Sequence, residues 1–170
     1  MEKRRAVLDS IRRIVRAVRL SSRASESAVG LSAAQLFVLQ RLAEHDGLSI
    51  NGLAGETLTH QSSVSVVVSK LAARKLVRRG VSPRDGRRTV ISLTARGRRA
   101  LAGAPEAMQV RLIAALDGLS DAEVARLARL LDRWTRAAGI AAIEPTLFGE
   151  GESSSIRIAE RHAGGKRRSR

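Results

Sequence analysis

The sequence contains no cysteine. That absence excludes a disulfide framework, a thiolate zinc site and a cysteine redox sensor. Aromatic residues make up only 2% of the chain, so a core has to be assembled from Leu, Val, Ile and Ala. No stretch approaches the roughly 20 apolar residues of a membrane span. The start, Met1-Glu2-Lys3-Arg4-Arg5, is basic, but no continuous apolar run follows it, so no signal peptide is expected. There is no Ser/His/Asp arrangement, no glycine-rich phosphate loop and no cluster of metal-ligand types. The three histidines, His45, His60 and His162, are scattered, and the adjacent His45-Asp46 pair reads as a helix end. An enzyme is therefore not expected, nor a bound metal or cofactor, and the expected location is the cytoplasm.

What is present is a moderately apolar, strongly basic chain. Its 170 residues suit one domain with a real core. The 44% hydrophobic content supports folding, and the Ala, Leu and Arg bias favours helices. The formal net charge is +15, and it is not spread evenly. Residues 70–99 hold eleven Lys/Arg and one acid, whereas residues 100–143 hold five of each. A local excess of this size marks a polyanion partner. Nucleic-acid phosphates are the commonest such partner, and an acidic membrane surface is the alternative.

Periodicity predicts a first helix over residues 5–29, with Val7, Ile11, Ile14 and Val18 on one face. Ser32 and Gln35 form a capping box that opens a second helix, ended by Asp46-Gly47. Ser49 caps a short third helix with Ile50, Leu53 and Ala54 inward. After a turn at Thr57-Leu58, a fourth helix is capped by Thr59 or His60, and Val64, Val67, Val68 and Leu71 form its buried face. Leu76–Val81 and Thr89–Leu93 read as strands of a hairpin, with Thr89, Ile91 and Leu93 on one side. Its tip, Ser82–Arg88, is rich in arginine and carries Pro and Asp-Gly turn chemistry. Thr94 caps a fifth helix expected to reach about Asp117, kinked at Pro105. Ser120 and Glu123 form a second capping box, opening a sixth helix that ends near Gly139 with Val124, Leu127, Leu131 and Trp134 inward. From Glu144 to Arg170 no periodicity remains, and a basic, disordered tail is expected. The fold class is thus mainly α with a small β-hairpin.

Helix, turn, helix and basic hairpin together make a module for the major groove and a flanking groove of duplex DNA. With 64, 67, 68 and 71 buried, Ser62, Ser65, Val66 and Ser69 point away from the core. His60, Gln61 and Ser63 lie at the helix start, and Lys70 lies further along the helix beside a phosphate backbone. Short hydroxyls let a helix sit deep in the groove, Gln pairs with adenine, and a Val methyl meets a thymine methyl. Each serine alone is equally well read as a small surface residue. A plain solvent face would, however, be filled with charge, and charge is scarce between 57 and 69. At the tip, Arg84, Arg87 and Arg88 suit a narrow, electronegative minor groove. Asp85 either holds Arg87 by a salt bridge or is simply a good turn residue before Gly86.

Over about residues 31–101 the chain resembles the multiple-antibiotic-resistance regulator (MarR) family of winged helix-turn-helix proteins. The resemblance is carried by Leu53-Ala54, Thr59-His60-Gln61-Ser62-Ser63-Val64-Ser65, Lys70-Leu71 with Leu76-Val77, Asp85-Gly86-Arg87, and Ile91-Ser92-Leu93-Thr94 with Gly97. With the flanking helices it extends over roughly 5–140. It implies a single domain at 1–143, with a winged helix-turn-helix at about 31–100 and dimerisation helices at about 5–29 and 95–140. It also implies a homodimer on a pseudo-palindromic operator, repression relieved by a small organic effector, and a wing arginine, Arg87, in the minor groove with Asp85 as its partner. Peroxide sensing by cysteine is closed to this chain, and metal sensing is not expected. Arg16, Arg19 and His45 lie where an effector crevice would be, but read more readily as surface residues. The rival reading is an architectural protein that coats DNA with weak specificity, for which the scattered arginines and basic tail would suffice.

Overall fold

The computed structural model describes residues 1–82 and 86–147. Among them are seven helices and a two-stranded antiparallel sheet: α1 Glu2–Val29, α2 Ala33–Glu44, α3 Ile50–Glu56, α4 Gln61–Ala73, β1 Val77–Val81, β2 Thr89–Leu93, α5 Ala95–Leu101, α6 Met108–Asp117 and α7 Asp121–Ala137. The mainly α architecture with a small hairpin is the one expected from the sequence.

α1 is one continuous helix of 28 residues, starting three positions before the start expected at residue 5. It ends because Gly30 takes a left-handed conformation, φ 65°, and returns its amide to Glu26. Just beyond, the buried Ser25 hydroxyl donates to the Leu31 carbonyl at 2.7 Å, which turns the chain into the lobe. α2 opens with the expected capping box: Ser32 Oγ accepts from the Gln35 amide, and Gln35 Oε1 accepts from the Ser32 amide. This helix is the centre of the core. Ala33, Ala34, Leu36, Phe37, Val38, Leu39 and Leu42 are all buried. Leu53 of α3, the Val64-Val67-Val68-Leu71 face of α4, and Ile91 and Leu93 of β2 close around it. Fully burying one such side chain contributes about 1.5–3 kcal/mol.

The hairpin pairs Val77 with Leu93, Arg79 with Ile91 and Val81 with Thr89. It is anchored at its base. The Ile91 amide donates to Leu48 in the α2–α3 connection at 2.7 Å, and the Thr94 amide donates to Leu76 at 3.0 Å. Gly97 makes this exit possible, because a Cβ there would collide with the Leu76 carbonyl oxygen. Only glycine lets α5 lie this close to the start of β1.

Three expectations are corrected. The helix expected from Thr94 to Asp117 is two helices, α5 and α6, separated by residues 102–107. Pro105 lacks an amide hydrogen and disfavours helix at Ala104. The gap is then held by Gln40, whose Nε2 donates to the Pro105 carbonyl at 2.9 Å while its Oε1 accepts from the Ala107 amide at 3.0 Å. The α7 face expected to point inward has no buried residue. Leu127, Leu131 and Trp134 are each 39% exposed. Finally, Leu147 is buried with the core, beyond the boundary expected at 143. The remainder of the expected tail, 148–170, lies outside the described residues.

Candidate nucleic-acid interface

α3 and α4 form the helix-turn-helix. Ser49 caps α3 by accepting from the Gly52 amide at 3.0 Å. The turn is locked by Thr57, nearly fully buried, whose hydroxyl donates to the Leu53 carbonyl at 2.7 Å. Leu58 then adopts φ 48°, a left-handed conformation that costs a non-glycine residue roughly 1–2 kcal/mol. His60 is the N-cap of α4, and its side chain makes no capping hydrogen bond. The first-turn amides of α4 therefore keep their pull on an incoming phosphate.

The outer face of α4 carries the residues read from the sequence. His60, Gln61, Ser62, Val66, Ser69 and Lys70 are exposed. Ser63 and Ser65 are half-buried, so they flank this face rather than crown it. Opposite them, Val64, Val67, Val68 and Leu71 are fully buried. The face therefore combines small hydroxyls, one amide, one imidazole and one aliphatic side chain, and a groove wall can approach it closely.

The hairpin brings cations to the same side of the lobe. Arg79 Nη2 donates to Ser69 Oγ at 3.3 Å and so ties β1 to the exposed face of α4. Arg79 was not among the residues singled out from the sequence. Strand alternation carried the signal: Arg79 shares a sheet face with Val77, and that face packs on α4. Arg87 and Arg88 are exposed at the descending side of the tip, and the Arg88 carbonyl accepts from the Ser82 amide at 2.8 Å. Arg84 and Asp85 lie outside the described residues, and with them the expected Asp85–Arg87 pair.

Not every base of the 70–99 run is free for a phosphate. Arg74 Nη1 donates to the Gly30 carbonyl and to Gln35 Oε1, each at 2.9 Å, fastening the end of α4 to the α1–α2 corner. Arg98 Nη1 donates to the Leu93 carbonyl at 3.3 Å. These two arginines serve the fold, so the footprint of the charge excess is narrower than the charge count implies. Among the described residues no group of acids and histidines could hold a metal ion, and no helix is long and apolar enough to cross a membrane.

Comparison with known proteins agrees with this geometry. The model of the MarR family matches residues 29–88, from the end of α1 to the wing. No curated protein matches the chain. Among solved structures, a MarR family transcription regulator superposes with a TM-score of 0.56 at 18% identity, covering 85% of this chain and 95% of that one. The transcriptional regulator BldR from Sulfolobus solfataricus gives 0.52 at 24% identity, covering 78% and 96%. A probable transcriptional regulator from Pseudomonas aeruginosa is 32% identical over 70% of this chain and 91% of its own, with a TM-score of 0.47. The family is one of transcription regulators, not of enzymes. With its helix-turn-helix and wing in place, the chain belongs to the MarR family of DNA-binding transcriptional regulators.

Proposed function

We propose that the protein is a homodimeric, sequence-specific repressor, resident in the cytoplasm on the nucleoid and relieved by a small organic effector. The observation that carries the DNA-reading part is the exposed face of α4: uncharged from His60 to Ser69, uncapped at its start, and tied to a basic hairpin by Arg79. In this reading Gln61, Ser62 and Val66 meet base edges, with His60, Ser63, Ser65 and Ser69 around them. Lys70, Arg84, Arg87 and Arg88 meet the backbone and the adjacent minor groove, and Asp85 orients Arg87. The functional unit is a single domain that runs through Leu147, with its reading lobe at about 31–100, and the basic residues beyond it add nonspecific affinity.

The dimer is supported by apolar surface that one chain leaves open. A cavity of about 640 Å³ between α1 and α7 is lined by Val7, Leu8, Leu127, Leu130, Leu131 and Trp134, among others. A second copy would cover it, and two lobes would then read two half-sites of a pseudo-palindrome. A crevice of about 300 Å³ beside Gln40, Leu101, Glu106 and Val110 lies between α2 and the α5–α6 segment, where a small molecule could shift one against the other.

The test is selection of bound duplexes from a random pool, followed by footprinting on the recovered sequence. A regulator enriches a pseudo-palindrome and protects a discrete site whose affinity falls steeply with salt. Uniform protection with no enrichment would instead make the protein a DNA-coating one.

A further inference from the structure

The outer face of the hairpin, turned away from α4, has a cavity of its own. Arg78 and Gly80 of β1 point to this side, opposite Ser92 and Val90 of β2, because strand residues alternate and Val77 and Arg79 take the other face. The α2–α3 connection runs along the far edge of β2, where Leu48 bridges Ile91. Together these segments line a cavity of about 470 Å³, with Asp46 and Gly47 on one wall, Arg78 on the other, and Gly80, Val90 and Ser92 between them. Gly80 is the unexpected residue. A glycine inside a strand weakens it, and otherwise marks a bulge, a bend or a place where another molecule or backbone comes close. The register of β1 is unbroken, Gly80 has no positive φ, and a Cβ added to it would meet nothing within 4 Å. The Leu76 carbonyl oxygen explains Gly97, whereas nothing among the described residues explains Gly80.

The walls of this cavity carry opposite charges that do not meet. Asp46 and Arg78 are both exposed, and among the described residues neither side chain has a hydrogen bond or an ion pair. They stand on either side of β2. Neighbouring strands lie about 4.8 Å apart, so the two backbones are separated by two such spacings, roughly 10 Å. The lining is mainly glycine, serine and charge, which suits a small polar molecule and not an aromatic one. The Asp46 carboxylate repels a phosphate, which sets this face apart from the reading face of α4. A ligand that fills the gap brings its own cation and anion, a few bonds apart. We infer that this cavity binds a free α-amino acid, with its ammonium group on Asp46, its carboxylate on Arg78 and its Cα over the open surface of Gly80. Both ends then form charge-assisted hydrogen bonds, and the Ser92 hydroxyl lines the floor between them. A ligand seated there clips β1 to the α2–α3 connection and holds the wing from the side opposite Arg79. The site is separate from the crevice beside Gln40 and needs no DNA, so it stands or falls apart from the regulator reading.

The experiment uses the full chain without DNA. Each of the common amino acids is added at millimolar concentration in a thermal melt, and any that raises the melting point is titrated by calorimetry. At least one is expected to raise it, while its N-acetyl and amide forms, which each lack one charge, should not. Asp46→Asn and Arg78→Gln should each weaken that binding about tenfold or more, since each removes a charge-assisted contact. Gly80→Val should melt at or above the wild type when free, because valine suits a strand better, and should no longer bind. No shift with any amino acid would overturn the inference, as would binding that survives Gly80→Val or the blocking of either ligand charge. A lower melting point in free Gly80→Val would overturn it too, because the glycine would then serve the fold. Each of these outcomes leaves the selection of duplexes, and with it the regulator reading, untouched.

Discussion

The reading lobe and the flanking helices are made of the same few aliphatic residues, yet they use them in opposite ways. In the lobe, Leu36, Phe37, Leu39, Leu42, Leu53, Val64, Val67, Val68 and Leu71 are at or near zero exposure, and the chain closes this core by itself. In the flanking region, α7 is a strongly amphipathic helix of 17 residues with none buried, and Val7, Leu8, Ile14, Val15 and Leu20 of α1 are exposed as well. The lobe is stabilised within one chain, whereas the flank presents an apolar surface that the chain itself leaves open. A contiguous patch of this kind marks an interaction surface, while single exposed apolar residues do not. The joint between the regions is polar and specific: Gln40 grips the 105–107 segment, and Ser21 accepts from the Met108 amide at 3.2 Å.

The largest effect is expected in the lobe. Phe37→Ala should lower stability by about 3–5 kcal/mol, independently of protein concentration, because it opens a cavity in a self-contained core. Trp134→Ala, by contrast, should reduce stability in a way that fades as protein concentration rises. Urea unfolding of both variants at several concentrations checks the pair. Identical concentration dependence would erase the distinction between the regions. Next comes the double change Leu131→Glu with Trp134→Glu. It should yield a folded monomer by analytical ultracentrifugation and reduce affinity for a palindromic duplex by about a hundredfold, since two linked lobes bind with avidity. A dimer that survives both charges would remove α7 from the interface.

Gly97→Ala should destabilise the lobe by about 2 kcal/mol, because the added methyl meets the Leu76 carbonyl and forces the start of β1 away from α5. Thermal melting reports the loss, and unaltered melting would mean that α5 and β1 move apart freely. Arg87→Ala should leave stability and dimerisation untouched. It should weaken DNA binding several-fold, most on a duplex whose flanking minor groove is narrow. An equal loss on duplexes with narrow and wide flanking grooves would take Arg87 out of the minor groove.

The smallest effect belongs to the α7 capping box. Glu123 sits below the ordinary carboxylate value because the Ser120 hydroxyl, then the Ser120 amide, hydrogen-bonds its charged form. A depressed folded value means that this contribution is present above the unfolded carboxylate value and lost as pH falls through the lower folded one. Protection of the first-turn amides of α7, taken relative to their intrinsic exchange rate at each pH, should therefore fall in acid, and Glu123→Ala should remove that change in protection. A first turn equally protected across this window would mean that the capping box does not hold it.

Much of this architecture is legible in the residues. The capping boxes at Ser32 and Ser120, the buried spacing of Val64, Val67, Val68 and Leu71, and the alternation of Thr89, Ile91 and Leu93 each involve neighbours in sequence. Local geometry alone determines them. The exposed face of α4 was legible for the same reason, as the complement of a buried stripe. Arg79 was less so, because its tie to Ser69 depends on how a strand folds back over a helix.

By itself, then, the sequence determined the elements, the helix-turn-helix order and the chemistry of the α4 face, because each follows from periodicity, capping and charge within a few residues. Only the tertiary structure decided three further points. The stretch 102–107 is a break and not a kink, because Gln40, remote in sequence, takes its polar groups. The apolar face of α7 does not enter the chain's own core, because periodicity reports which face is apolar but not what covers it. Leu58 holds a strained turn while exposed, because backbone handedness at one residue is set by the packing of the two helices it joins.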